Sequence, residues 1–205
     1  MKISTMLIDD HAIMRMGLKS LLGTCADIEV VADAEGGEDA VRMALDRRPD
    51  VIIMDLMMPE MDGVETTRRI LAKWPEAKVL ILTTFGTADA IGHSLDIGAK
   101  GALMKNAKLE ELVAAIKSVA GGGRYIAPEI GKMLSDEPPI PELSRRQLEI
   151  LQSVTHGLSN EDIARQLGIS LAMVKEHIRV TFAKIGAVNR AKAVAIALRK
   201  HLLKI

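Results

Sequence analysis

The chain has 205 residues with 27 Lys+Arg against 27 Asp+Glu and a hydrophobic content of 48%, enough for one large domain or two small ones and too apolar for wholesale disorder. Apolar runs such as Val51 to Met54 and Val79 to Leu82 are far too short to span a bilayer, and the first residues pass directly into a strand-like segment without signal-peptide patterning. Cys25 stands alone, which excludes a disulfide framework or a thiolate metal cluster, so a reducing, cytoplasmic setting is expected.

Through the first 120 residues, short apolar runs alternate with segments of helical period. Candidate strands are Ile3–Ile8, Glu29–Ala34, Val51–Met54, Val79–Thr83 and Gly101–Met104, with helices at about 12–22, 37–47, 63–74, 87–97 and 108–120. Five β/α units in succession predict a doubly wound, five-stranded parallel sheet with helices on both faces. The alternation stops at Gly121-Gly122-Gly123. A short helix is possible after Pro128, and Pro138-Pro139-Ile140-Pro141 reads as a stiff, extended spacer. The last 64 residues contain no strand signal. Ser144-Arg145-Arg146-Gln147 is a capping-box pattern opening a helix to about Thr155. Ser159-Asn160-Glu161-Asp162 opens a second, ending at Gly168. Ser170 caps a third that runs to Ile185, and a fourth extends from near Asn189 to about Leu202. The expected domains are therefore 1–121, a linker at 122–141, and an all-α module at 142–205.

This division changes the meaning of the neutral total. Residues 1–130 hold 15 basic and 20 acidic residues, a net of −5; residues 131–141 carry −1; residues 142–205 hold 11 basic and 5 acidic residues, a net of +6. An acidic body joined to a small basic tail is a two-domain signal, with nucleic acid as a candidate partner for the tail.

In open α/β sheets the functional crevice lies at the carboxyl ends of the strands. Asp9 and Asp10 follow the first strand, Asp55 the third and Lys105 the fifth, while Thr83 ends the fourth. One such residue is an ordinary cap or loop residue, but five at the same edge form a constellation. Crowded carboxylates repel, and a hard divalent cation with oxygen ligands, Mg²⁺ for preference, relieves the repulsion. A carboxylate on such an ion, facing a Lys and a Thr hydroxyl, is arranged to accept a phosphoryl group.

Leu7-Ile8-Asp9-Asp10-His11, Met54-Asp55-Leu56-Met57-Met58-Pro59, Met61-Asp62-Gly63, Thr83-Thr84 and Lys105 resemble the receiver domain of two-component response regulators, over about residues 1–120. The resemblance implies a flavodoxin-like sheet of order 2-1-3-4-5, with Asp55 as phosphoacceptor from a sensor histidine kinase. It also implies Mg²⁺ held by Asp10, Asp55 and the Met57 carbonyl, Asp9 acting partly through water, and Thr83 and Lys105 gripping the phosphoryl group. Two positions depart from the family: Ala102 stands where an aromatic switch residue is usual, and Asn106 where Pro often follows the lysine.

In the basic module, two helices joined by the Gly168-Ile169-Ser170 turn form a helix-turn-helix candidate. On the second of these, Val174, Ile178, Thr181, Phe182 and Ile185 share one stripe, which predicts core. Ala172, Lys175, Glu176, Arg179 and Ala183 share the opposite stripe, a small and basic face suited to the major groove. Leu143-Ser144-Arg145-Arg146-Gln147, the Gly157 to Ala164 segment, Val174-Lys175-Glu176-His177 and Lys184-Ile185-Gly186-Ala187 resemble the LuxR/NarL (FixJ-like) DNA-binding module over about 142–202. That resemblance implies base-edge contacts from Lys175, Glu176 and Arg179, phosphate contacts from Asn160 and Lys184, and a last helix that pairs two modules on double-stranded DNA. Met173 replaces the usual Thr and Gln147 the usual Glu. His177 has no partner spaced for metal binding, and four aromatic residues in all argue against a base-stacking single-strand binder.

The expected function is a response regulator transcription factor in which phosphorylation at Asp55 controls homodimerisation and sequence-specific DNA binding, with no enzymatic turnover. The alternative is a DNA-binding regulator whose receiver is a phosphorylation-independent interaction module, a reading that Ala102 supports. A haloacid-dehalogenase-type phosphohydrolase would want Asp-x-Asp after the first strand, whereas Asp9 and Asp10 are adjacent.

Overall fold

A computed structural model describes residues 2–84, 88–136, 138–141, 143–200 and 202–203. Contacts divide the chain into two compact units, Met1–Pro139 and Ile140–Ile205. Among the described residues, no helix is long and apolar enough to cross a membrane.

The first unit alternates strands β1 (Ile3–Ile8), β2 (Ile28–Ala34), β3 (Val51–Met54), β4 (Val79–Thr83), β5 (Gly101–Met104) and β6 (Tyr125–Ile126) with helices α1 (Ala12–Gly23), α2 (Gly37–Arg47), α3 (Gly63–Lys73), α4 (Ala88–Ile97), α5 (Leu109–Ala120) and α6 (Pro128–Asp136). The expected start of the fourth helix at residue 87 lies outside the described residues. The strands pair in parallel in the order β2-β1-β3-β4-β5-β6. Every residue of β3 and β4 is buried, as a central parallel strand covered on both faces requires. The β/α pattern therefore produces the expected winding and order.

The sheet has six strands where five were expected. Tyr125 N–H donates to the Lys100 carbonyl at 3.0 Å and Ala127 N–H to the Ala102 carbonyl at 3.0 Å, which extends the sheet beyond β5. Gly101 makes this approach possible: a Cβ there would stand 2.3 Å from the Tyr125 carbonyl oxygen. Ala127 and Ile130 are fully buried in the same core as the central strands, so much of the segment read as linker packs on the sheet. A two-residue strand has no periodicity to read, and it follows the glycine run that ends the visible pattern.

In the second unit, α7 (Arg145–Thr155), α8 (Asn160–Leu167), α9 (Leu171–Ile185) and α10 (Arg190–Arg199) follow in sequence. Each start has a side-chain cap: Ser144 accepts from Gln147 N–H, Ser159 from Asp162 N–H, Ser170 from Met173 N–H and Asn189 from Lys192 N–H. The first two are reciprocal capping boxes. Leu151, Ile185, Ala193 and Ala197 form one small core and Ile150, Val154, Ile163 and Val174 another, with Phe182 packed against both.

Replacing Gly101 with Ala is expected to expel β6 from the sheet edge and to destabilise the first unit by about 1–3 kcal/mol, the usual range for overpacking. Urea unfolding followed by Trp74 fluorescence gives the loss, and faster hydrogen exchange at the Tyr125 and Ala127 amides locates it.

Candidate functional site: an acidic cluster at the sheet edge and a basic helix face

The parallel register brings the ends of β1 and β3 side by side, with Ile8 opposite Met54 and Thr83 opposite Met104 across β4 and β5. Residues directly after these strands therefore converge. Lys105 Nζ lies 2.6 Å from Asp9 Oδ2 and 2.7 Å from Asp55 Oδ2, and all three side chains are almost completely buried. Burial works against the charged ammonium. The hydrogen bonds and charges of Asp55 and Asp9 outweigh it, and hold the Lys105 pKa above its ordinary value.

The other carboxylate oxygens are held by backbone. Leu56 N–H donates to Asp55 Oδ1 at 2.7 Å, and His11 N–H to Asp9 Oδ1 at 2.9 Å. Asp10 is half-buried, and Met57 is exposed on the loop after β3. Thr83, fully buried at the end of β4, has a hydroxyl with no hydrogen-bond partner among the described residues, a polar group that is costly to leave unsatisfied. A cleft of about 480 Å³ lined by His11, Ile13, Met14, Asp55, Met57, Thr84 and Lys105 opens the cluster to solvent. One donor atom each from Asp9, Asp10, His11 and Asp55 lies within 4.8 Å of the others. Three carboxylates, an open side and a hydroxyl on the neighbouring strand without a partner among the described residues fit a hard divalent ion and an anionic oxygen group.

Three supports were not legible as such in the sequence. Arg15, on the first turn of α1 and mostly buried, donates from Nη1 to the Asp9 carbonyl at 2.6 Å and reaches Asp33 at 3.3 Å. Its spacing from the acidic pair was the available signal. Gly63 packs directly on the β3 terminus, where a Cβ would stand 2.0 Å from the Asp55 carbonyl oxygen. His11 places Nδ1 2.7 Å from Asp10 Oδ1.

In the second unit, Val174, Thr181 and Ile185 of α9 are buried and Ile178 and Phe182 half-buried, while Ala172, Lys175, Glu176, Arg179 and Ala183 are exposed. Glu176 and Arg179, one turn apart, form a two-point ion pair with Nε–Oε2 at 2.9 Å and Nη2–Oε1 at 2.6 Å. That hydrogen bonding pulls the Glu176 pKa down and pushes the Arg179 pKa up. Asn160 is half-buried at the first turn of α8. Lys184 lies nine residues beyond Lys175, half a helical rotation away, and its Nζ donates to Gln147 Oε1 at 3.1 Å. The exposed face thus carries Lys175, Glu176 and Arg179 together, and Lys184 sits apart from them.

Residues 5–117 match the response regulator receiver domain family, and residues 141–197 the luxR family of bacterial regulatory proteins. The chain is a two-component response regulator. Its similarity to curated relatives runs end to end. It is 36% identical to the transcriptional regulatory protein LiaR of Bacillus subtilis (strain 168), over 98% of this chain and 99% of that protein. It is 35% identical to the transcriptional regulatory protein DegU of Brevibacillus brevis, over 100% and 96%. Among solved structures, the response regulator ChrA of a heme-sensing two-component system is 39% identical with a TM-score of 0.59, over 98% of this chain and 99% of that one. RcsB of Salmonella enterica serovar Typhimurium reaches a TM-score of 0.70 at 20% identity, over 99% and 100%, a likeness of fold. The regulator thus joins a receiver to a LuxR-type DNA-binding domain and is a transcription regulator.

Within the regulator's receiver, removing Lys105 leaves two buried carboxylates unpaired, a situation that costs on the order of 3 kcal/mol. Lys105→Met is expected to lower stability in urea by about that amount without divalent ions. Adding Asp55→Asn to the variant should recover part of the loss, and a double-mutant cycle measures the coupling.

Proposed function

We propose that this regulator is switched by transfer of a phosphoryl group from a sensor histidine kinase to Asp55, and that the modified receiver favours a two-fold homodimer whose C-terminal modules bind DNA. The observation that carries the reading is the buried Lys105–Asp55–Asp9 contact, with an unsatisfied Thr83 hydroxyl at the next strand end. One oxygen of Asp55 is pinned by the Leu56 N–H, which leaves Oδ2, on the Lys105 side, as the nucleophile. Its attack forms the O–P bond as the P–N bond to the kinase imidazole breaks, and the imidazole leaves with the bonding electron pair. Lys105 then balances charge on the phosphoryl oxygens, and the Thr83 hydroxyl, which has no hydrogen-bond partner among the described residues, donates to one of them. Asp9, Asp10, Asp55 and the Met57 carbonyl are the groups to hold Mg²⁺. When bound, the ion offsets negative charge on the oxygens of the transferring group.

On the DNA side, α9 enters the major groove with Lys175, Glu176 and Arg179 toward base edges. The Glu176 carboxylate holds the Arg179 guanidinium in a fixed plane until a guanine edge or a phosphate competes for it. Asn160, at the start of α8, and Lys184 are assigned to phosphate contacts, Lys184 by exchanging its Gln147 partner for a phosphate oxygen. Two-fold symmetry implies half-sites about one helical turn apart. Phosphorylation shifts a population from the monomer toward that dimer.

The buried Ala102, in the place of the usual aromatic switch, favours a second reading in which the receiver acts without phosphorylation. One experiment separates the two. Genomic DNA fragments are selected on the purified protein with and without a small-molecule phosphodonor, and the same is done with Asp55→Asn. The phosphoswitch predicts at least about tenfold tighter binding and a dimer only for treated wild type. Equal binding and dimerisation by Asp55→Asn would sink it in favour of the second reading.

On the selected fragment, Arg179→Ala is expected to weaken binding by about tenfold or more and to relax preference at one base position. Mutation of Lys184 should weaken binding evenly across sequences and reduce the salt slope by about one. Fluorescence anisotropy at several salt concentrations reads both.

A further inference from the structure

His11 occupies the N-cap position of α1, yet its side chain makes no capping hydrogen bond. The imidazole turns the other way, toward the acidic cluster. Nδ1 stands 2.7 Å from Asp10 Oδ1 and 3.5 Å from Asp9 Oδ1, and the set Asp9, Asp10, His11 and Asp55 offers four donor atoms all within 4.8 Å of one another. Atoms sharing one ion at bond lengths of about 2.1 Å stand about 3 Å apart on neighbouring vertices and about 4.2 Å across it. The four atoms reach that spacing once the set draws in by about half an ångström around an ion, which the exposed His11 ring can follow.

We propose that His11 is a metal ligand in this receiver, and that its imidazole biases the site toward first-row transition ions such as Mn²⁺ over Mg²⁺. The inference rests on the reading of the acidic cluster as a divalent-ion site, and adds to it the choice of ion. Carboxylate, carbonyl and water oxygens suit Mg²⁺ and Mn²⁺ alike, whereas affinity for an imidazole nitrogen rises along the first-row series, so the nitrogen adds to Mn²⁺, more to later ions, and little to Mg²⁺. The His11 side chain is 71% exposed, so it can exchange its contact with Asp10 for a bound ion without losing core packing. The cleft beside it leaves room for water and for an incoming phosphoryl group, which distinguishes the arrangement from a closed structural site.

The test uses the full chain with Mn²⁺ and Mg²⁺ as probes, titrated separately and in competition, on wild type, His11→Ala, His11→Gln and Asp10→Asn. Mn²⁺ affinity is expected to fall by about tenfold or more in both His11 variants, while Mg²⁺ affinity changes by less than about threefold. The near-constant Mg²⁺ affinity also shows that those variants remain folded. Electron spin echo envelope modulation of the Mn²⁺-loaded protein should show a directly bound nitrogen in wild type and none in either variant. An unchanged Mn²⁺ to Mg²⁺ ratio, or a nitrogen signal that survives both substitutions, overturns the role of His11. If Asp10→Asn still abolishes binding in that case, the acidic ion site itself stands. If wild type binds neither ion, the site and this inference fall together.

Discussion

Two carboxylates and an ammonium removed from water define this receiver. Each charge alone would be expensive in the interior, and a pair repays its desolvation only where geometry is close and the remaining lone pairs are satisfied. Here Lys105 bridges Asp9 and Asp55 at 2.6 and 2.7 Å, and backbone N–H groups of His11 and Leu56 take the outward oxygens. Three separate strands must end in register for that arrangement to exist. The uniformly buried β3 and β4, flanked by Asp55 and Lys78, make the register costly to slip, because a displaced strand would carry a charge into the core. The sheet is thus organised around its most polar point, and the same point is where added negative charge would do most to rearrange it.

The DNA-binding module is governed by different physics. Its two small clusters bury little surface, so local signals carry a larger share of its order: four side-chain caps and two capping boxes fix where helices begin. The α9 face that remains in water carries Ala172, Met173 and Ala183 beside one ion pair and Lys175. Glu176 and Arg179 pair across one turn of that face, at 2.9 and 2.6 Å.

Sequence made some of this legible and hid the rest for identifiable reasons. The convergence of Asp9, Asp55 and Lys105 follows from apolar runs that each end in a charged residue, since strand termini in a parallel sheet share an edge. The α9 core stripe follows from helical period. By contrast, the turn of His11 toward Asp10 is a choice of rotamer between two neighbouring demands, capping α1 or meeting the carboxylate, and residue order does not distinguish them. Lys184 reads as one more basic residue until its contact with Gln147 is seen. Strand β6 was invisible because its pairing depends on an absent side chain 24 residues earlier.

That last pairing bears on how such proteins recombine. Receivers and output modules are interchangeable parts only if the cut leaves each with a finished surface. A junction placed at Gly121, where the β/α rhythm ends, would strip the sheet of its last strand and expose Ala102 and the pocket that holds Ile130. A junction after Pro139 carries the edge along with the receiver. The portable piece is therefore longer than its repeating pattern, and grafts that respect the pattern alone would begin life with an open, adhesive β-strand.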